Sequence, residues 1–81
     1  MSENTNQTAQ LIAARLRDCR EAKGWTLVEA AARLSEATGE NVIHQRWARW
    51  EHGDRVPSPE LAAPLAALFD TDPGYFAEPA E

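Results

Sequence analysis

The sequence has little of what the less common classes of protein depend on. Its 81 residues contain a single cysteine, Cys19, which excludes an internal disulfide framework. Four glycines and five prolines are too few for a collagen-like or low-complexity chain. No apolar run approaches the roughly 18–20 residues of a membrane span, and no basic leader precedes an apolar stretch. We therefore expect one small globular domain, located in the cytoplasm and without a membrane anchor.

Basic residues are absent after Arg55. Residues 56–81 carry five acidic side chains and no lysine or arginine, whereas residues 1–55 carry eight side chains of each sign. The net charge of −5 argues against a protein that coats nucleic acid without selectivity, because such proteins have a large basic excess. The first two thirds of the chain can still present a local basic face.

Apolar side chains recur at helical spacing along the chain, and no segment alternates as a strand would. The first helix is expected to run from Thr8 to a stop at Gly24. The second begins at Thr26, where Glu29 completes a capping box, and ends at Gly39. The third covers about residues 43–52, up to a glycine stop.

Proline marks the remaining elements. Ser58 and Pro59 predict the start of a fourth helix, in which Pro64 should cause a bend or the loss of a hydrogen bond. Pro73 starts a short fifth helix. The expected fold is all-α, a compact bundle of five helices.

The expected domain organisation is a disordered N-terminal tail over residues 1–7, the helical domain over residues 8–77 and an acidic tail over residues 78–81. The predicted core comes from the apolar helix positions: Ile12, Leu16, Cys19, Trp25, Leu34, Trp47, Trp50, Leu61, Leu65 and Leu68. Trp47 and Trp50 are three residues apart on one face of the third helix. A platform that stacks the bases of a single strand is the alternative role for these tryptophans.

The order of elements is specific: a helix, a glycine turn, a short helix, a loop, and a helix that ends in Trp-Glu-x-Gly, followed by Pro-Ser-Pro-Glu-Leu. With the matching residues 16–26, 31–34 and 49–61, the sequence resembles the Cro and phage-repressor family of helix-turn-helix proteins (the XRE type). The resemblance covers roughly residues 11–76. It implies the lambda-repressor-like DNA-binding fold, with the third helix in the major groove.

The resemblance also implies roles for particular side chains. The expected base contacts are His44, Gln45, Arg46 and Arg49, with a phosphate as the alternative contact of Arg46. Thr26 and Arg55 are expected to contact the DNA backbone. Arg20 and Glu51 fall on positions that form a salt bridge between the first and third helices. Without the resemblance, arginines on one helix would be read as a solvated face.

The sequence departs from the family pattern at two places. Between Leu34 and Trp50 the family usually has several residues fewer, so the extra residues 35–40 should lengthen the second helix or the turn after it. Leu27 stands where the family often has a polar residue that touches phosphate. Both departures bear on how the chain would meet DNA.

The expected function is that of a sequence-specific transcriptional regulator of bacterial or phage type, which binds double-stranded operator DNA as a homodimer. The expected mode of regulation is repression. The expected dimer surface includes Phe69, Tyr75 and Phe76, which could instead only cover the core. The alternative is a protein-interaction module of the same fold, such as an antitoxin that acts through a toxin or another protein partner.

An enzyme is not expected. His44 and His52 lie eight residues apart, which is not metal-ligand spacing. The glycines are too scattered for a phosphate-binding loop, and no serine or cysteine lies in a motif that would activate a nucleophile. We expect no catalytic residue, no metal and no cofactor.

Overall fold

The computed structural model describes residues 2–76, with side chains from Thr8 onward. Within this range the fold is all-α, with four α-helices and two short 3₁₀ turns: α1 (Ser2–Lys23), α2 (Leu27–Thr38), α3 (His44–His52), the turn Pro59–Leu61, α4 (Ala62–Phe69) and the turn Pro73–Tyr75. Met1 and residues 77–81, which include the predicted acidic tail, lie outside the described residues. No helix in the described range is both long and apolar enough to cross a membrane.

The predicted fifth helix is only a 3₁₀ turn, so the described chain has four α-helices rather than five. The Asp72 side chain accepts a hydrogen bond from the Gly74 N–H at 3.3 Å, and the Phe76 N–H closes the turn on the Pro73 carbonyl. Asp72 and Pro73 thus start a turn as predicted. Gly74 follows Pro73 directly. Because glycine is unfavourable in a helix, the turn does not continue as an α-helix.

Helix α1 begins at Ser2 rather than at Thr8. The backbone of residues 2–7, which the sequence assigns to a disordered tail, is helical in the structure. Extending an existing helix is much easier than starting one, because each added residue forms a hydrogen bond without a new nucleus.

The structure has an interruption of the fourth helix close to Pro64. The interruption falls earlier, where the 3₁₀ turn gives way to α4 at Ala62. Pro64 is therefore the third residue of α4, in the first turn, where a missing N–H has no helical acceptor to lose.

The extra residues between α2 and α3 lengthen α2. Residues 35–38 are helical, and Gly39 ends the helix in the left-handed region at φ +78°. The Ser35 hydroxyl accepts from the Val42 N–H at 2.9 Å and lies 2.9 Å from the Ala31 carbonyl oxygen. These contacts hold the returning chain against α2, so the insertion adds a helical turn.

The core lies where α1 and α2 pack against α3, and where α2 packs against α4. Most of the predicted core residues are buried in it: Ile12, Leu16, Leu34, Trp47, Trp50, Leu61 and Leu65. Cys19, Trp25 and Leu68 lie at its margin and are only partly buried. Burial raises the pKa of the Cys19 thiol, and the Asp18 carboxylate adds to the shift, which keeps the thiol in its unreactive protonated form.

The predicted dimer surface needs correction. Phe69 and Phe76 are 8% and 1% exposed, because they pack into an aromatic cluster inside the single chain. The ring centroids of Phe69 lie 5.5 Å from Trp25, 6.1 Å from Trp47 and 5.9 Å from Phe76. The two phenylalanines therefore cover the core, and only Tyr75 of the three predicted residues stays half-exposed.

Candidate nucleic-acid interface

The inner face of α3 is fixed by a buried carboxylate. Glu51 is 9% exposed, and its two oxygens accept hydrogen bonds from Arg20 Nε at 2.6 Å and Arg20 Nη2 at 3.0 Å. This bidentate pair joins α1 to α3, as the resemblance implies for these two positions. The hydrogen bond to Glu51 raises the pKa of Arg20 above its usual value, which keeps the guanidinium charged.

Trp47 adds a third bond to the same carboxylate. Its indole Nε1–H donates to Glu51 Oε2 at 2.7 Å, while the indole ring is fully buried. Arg20 Nη1 also donates to the Trp25 carbonyl at 2.8 Å. Sequence reasoning missed the indole bond, although the spacing of four residues between Trp47 and Glu51 places both side chains on one face of a helix.

The outer face of α3 is exposed and has no acidic side chain. It carries His44, Gln45, Arg46, Arg49 and His52. Successive residues of an α-helix turn by about 100°. Gln45, Arg49 and His52 therefore point most directly away from the core, and His44 and Arg46 lie on the two flanks. The four predicted base-contacting residues thus share one accessible surface.

The loop after α3 is held against the end of the helix. Gly53 has φ +85°, and the N–H groups of Gly53 and Asp54 bond to the Trp50 and Arg49 carbonyls at 3.2 and 3.1 Å. Glycine is required here, because a side chain would be strained at this φ and its Cβ would meet the Gln10 amide. The tight return places Arg55 next to the helix it follows.

Three arginines consequently line one cleft. Arg46, Arg49 and Arg55, together with Ser58, surround an open space of about 330 Å³ that has no carboxylate in its walls. The Arg46 guanidinium lies 5.6 Å from the centre of the Trp50 ring, so a cation–π contact holds it at the side of α3. Arg46 thereby stays on the flank of α3, where it lines the cleft with Arg49 and Arg55.

The start of α2 contains the predicted capping box. The Glu29 N–H donates to Thr26 Oγ1 at 3.1 Å, and the Thr26 N–H donates to the Glu29 carboxylate at 2.8 Å. The backbone N–H of Thr26 therefore already donates within the capping box and is not available to a phosphate. The hydroxyl proton is the group left to donate.

A family model described as a helix-turn-helix domain matches residues 11–78. The chain belongs to the helix-turn-helix family, in its XRE and Cro-like branch. No curated protein and no solved structure matches the chain. The family is one of DNA-binding domains, typically without enzymatic activity.

His52 is a surface residue of the helix-turn-helix domain that sequence reasoning considered only as a metal ligand. Its side chain is 79% exposed, and its Nδ1 lies 3.3 Å from the Asp54 carboxylate. Its position three residues after Arg49 and seven after Gln45 already indicated that it shares their face.

Proposed function

We propose that this helix-turn-helix protein is a sequence-specific transcriptional regulator that places α3 in the major groove of operator DNA. One observation carries the proposal: the polar and basic face of α3 is free while the opposite face is locked to α1 through Glu51. A helix held in this way can present base-reading side chains in a fixed orientation, and the major groove admits one helix.

The roles follow from the directions of the side chains. Gln45 and Arg49 point outward. The Gln45 amide can donate to N7 and accept from N6 of adenine, and the Arg49 guanidinium can donate to O6 and N7 of guanine. His44 lies beside Gln45 and is the third base contact. Arg46 lies on the flank of α3 and Arg55 in the loop after it, so we assign both to phosphates, together with the Thr26 hydroxyl. Arg49 lines the same cleft from the outward face of α3.

The first experiment compares binding to the upstream region of the protein's own gene with binding to random DNA of equal length, at two salt concentrations. We expect tight binding to the upstream fragment that weakens steeply with salt, as for a repressor of its own gene. Equal affinity for both fragments at low salt, or no binding to either, would contradict the proposal.

Replacing Arg55 with alanine should weaken binding to all DNA sequences alike. A phosphate contact carries no sequence information, and its loss should flatten the plot of log affinity against log salt by about one unit. The measurement is a salt titration of operator and random DNA with wild type and R55A. A change confined to the operator would overturn the phosphate role.

The proposal includes a homodimer, because one such module makes a short contact and two half-sites one helical turn apart extend it. Since Phe69 and Phe76 belong to the core, the candidate contacts are the half-exposed Leu68 and Tyr75. Arg15 stacks 4.4 Å above the Tyr75 ring and donates to its carbonyl at 3.0 Å, which holds this surface in place.

A second candidate is a module that acts through a protein partner, such as an antitoxin. The net charge of −5 and a separate cleft on α2 lined by Glu29, Arg33 and Glu36 favour it. In that case DNA binding would be weak and unselective in the comparison above, and a protein encoded beside this one would bind instead.

A further inference from the structure

An exposed apolar groove lies between α2 and the start of α3. It encloses about 450 Å³, and its walls include Val28, Ala32, Val42, Ile43, His44 and Gln45. Val28 and Ile43 are 58% and 50% exposed, and both line this one groove, so they form a contiguous apolar surface. No carboxylate lines the groove.

Ile43 is unfavourable for the helix that it precedes. It occupies the N-cap of α3 and makes no side-chain capping bond, whereas Thr26 caps α2 fully. Serine, threonine, aspartate or asparagine would stabilise this helix start and would also suit the solvent. A residue that breaks a local rule without gain in the fold points to a function.

The groove is continuous with the base-reading surface, because His44 and Gln45 belong to both. In the major groove, thymine displays a C5-methyl group that apolar side chains contact, and its partner adenine offers the N6 and N7 atoms that glutamine binds. An apolar wall beside a glutamine is thus the complement of an A·T pair.

We infer that Val28 and Ile43 contact thymine methyl groups next to an adenine read by Gln45, so that this end of α3 selects A·T pairs in the operator. The inference deepens the proposed function and rests on it. It assigns a specificity role to two residues outside the predicted base-contacting set.

The test first selects binding duplexes from a randomised 20-base-pair pool with the wild-type protein. The enriched duplex is then synthesised with thymine and with uracil, which differs only in lacking the methyl group. Wild type should bind the thymine duplex about three- to fivefold more tightly for each methyl that it buries. The same pair of affinities is measured for I43S and for L11S.

I43S should lower the ratio of the two affinities by the factor of one methyl, about three- to fivefold, while its melting temperature stays equal or rises because serine caps α3. L11S is the matched control, since Leu11 is a 47% exposed apolar side chain on α1 and should leave the ratio unchanged. A wild-type ratio of one, or a ratio that I43S leaves intact, overturns the inference while the proposed function stands. The alternative occupant of the groove would then be an apolar segment of a protein partner. If no duplex is enriched, the proposed function fails and the inference fails with it.

Discussion

Replacing Glu51 with glutamine is expected to lower the free energy of unfolding by about 3–5 kcal/mol, because it breaks a buried ion pair from one side. The carboxylate accepts two bonds from Arg20 and one from Trp47, and glutamine has only one oxygen to offer them. The NH₂ group of the glutamine would face the N–H donors of Arg20 or Trp47. For a domain of this size the melting temperature should fall by more than about 12 °C.

Glu21 provides the matched control for this variant. Its carboxylate also lies near Arg20, at 4.0 Å, but its side chain is 61% exposed. E21Q also removes one negative charge that faces the Arg20 guanidinium, but at the surface, where an ion pair contributes at most about 1 kcal/mol. Urea or thermal unfolding of both variants decides the matter, and a melting temperature for E51Q within a degree or two of wild type would refute the structural role of the pair.

The second large effect is expected for Arg49 in DNA binding. R49A should weaken operator binding by about 1–3 kcal/mol and relax the choice at one base pair, because a bidentate contact to guanine is lost. Folding should be unaffected, since Arg49 is exposed and makes its loop contacts through its backbone carbonyl. The measurement is a set of affinities for the operator and its single-base variants.

Arg33 is the control for charge. It is exposed on α2, where its guanidinium stacks 5.0 Å from the Trp25 ring, and it lies outside the arginine cleft. R33A removes one positive charge and should keep the base preferences of the wild type. If R49A and R55A reduce binding to operator and random DNA by the same factor, the separation into base and phosphate contacts is wrong.

Local signals predicted much of the fold. The capping box at Thr26 and the glycine stops at Gly39 and Gly53 depend on neighbouring residues, and the structure has all three. The starts of α1 and α4 were harder to predict. A polar segment such as residues 2–7, for example, has no periodic apolar side chains to indicate a helix. The exact place of the interruption near Pro64 could not be predicted, because it depends on where α4 starts.

Long-range packing accounts for what the sequence could not predict in the candidate site. Phe69 and Phe76 look alike in the sequence whether they cover a core or join two chains. Only the contacts of Phe69 with Trp25 and Trp47, and of Phe76 with Phe69, distinguish the two roles. The grouping of Arg46 with Arg55 likewise depends on the tight return at Gly53. Ile43 could be recognised as apolar in the sequence, but its exposure could not.

The division of α3 between Glu51 and Trp47 on one side and Gln45 and Arg49 on the other has an evolutionary consequence. Substitutions at exposed positions usually change stability by no more than about 0.5 kcal/mol, and effects at separated sites add. The outward side chains can therefore diverge after gene duplication while the anchoring ones stay unchanged. A lineage with this architecture can acquire new binding sites one base pair at a time without first gaining stability to spare.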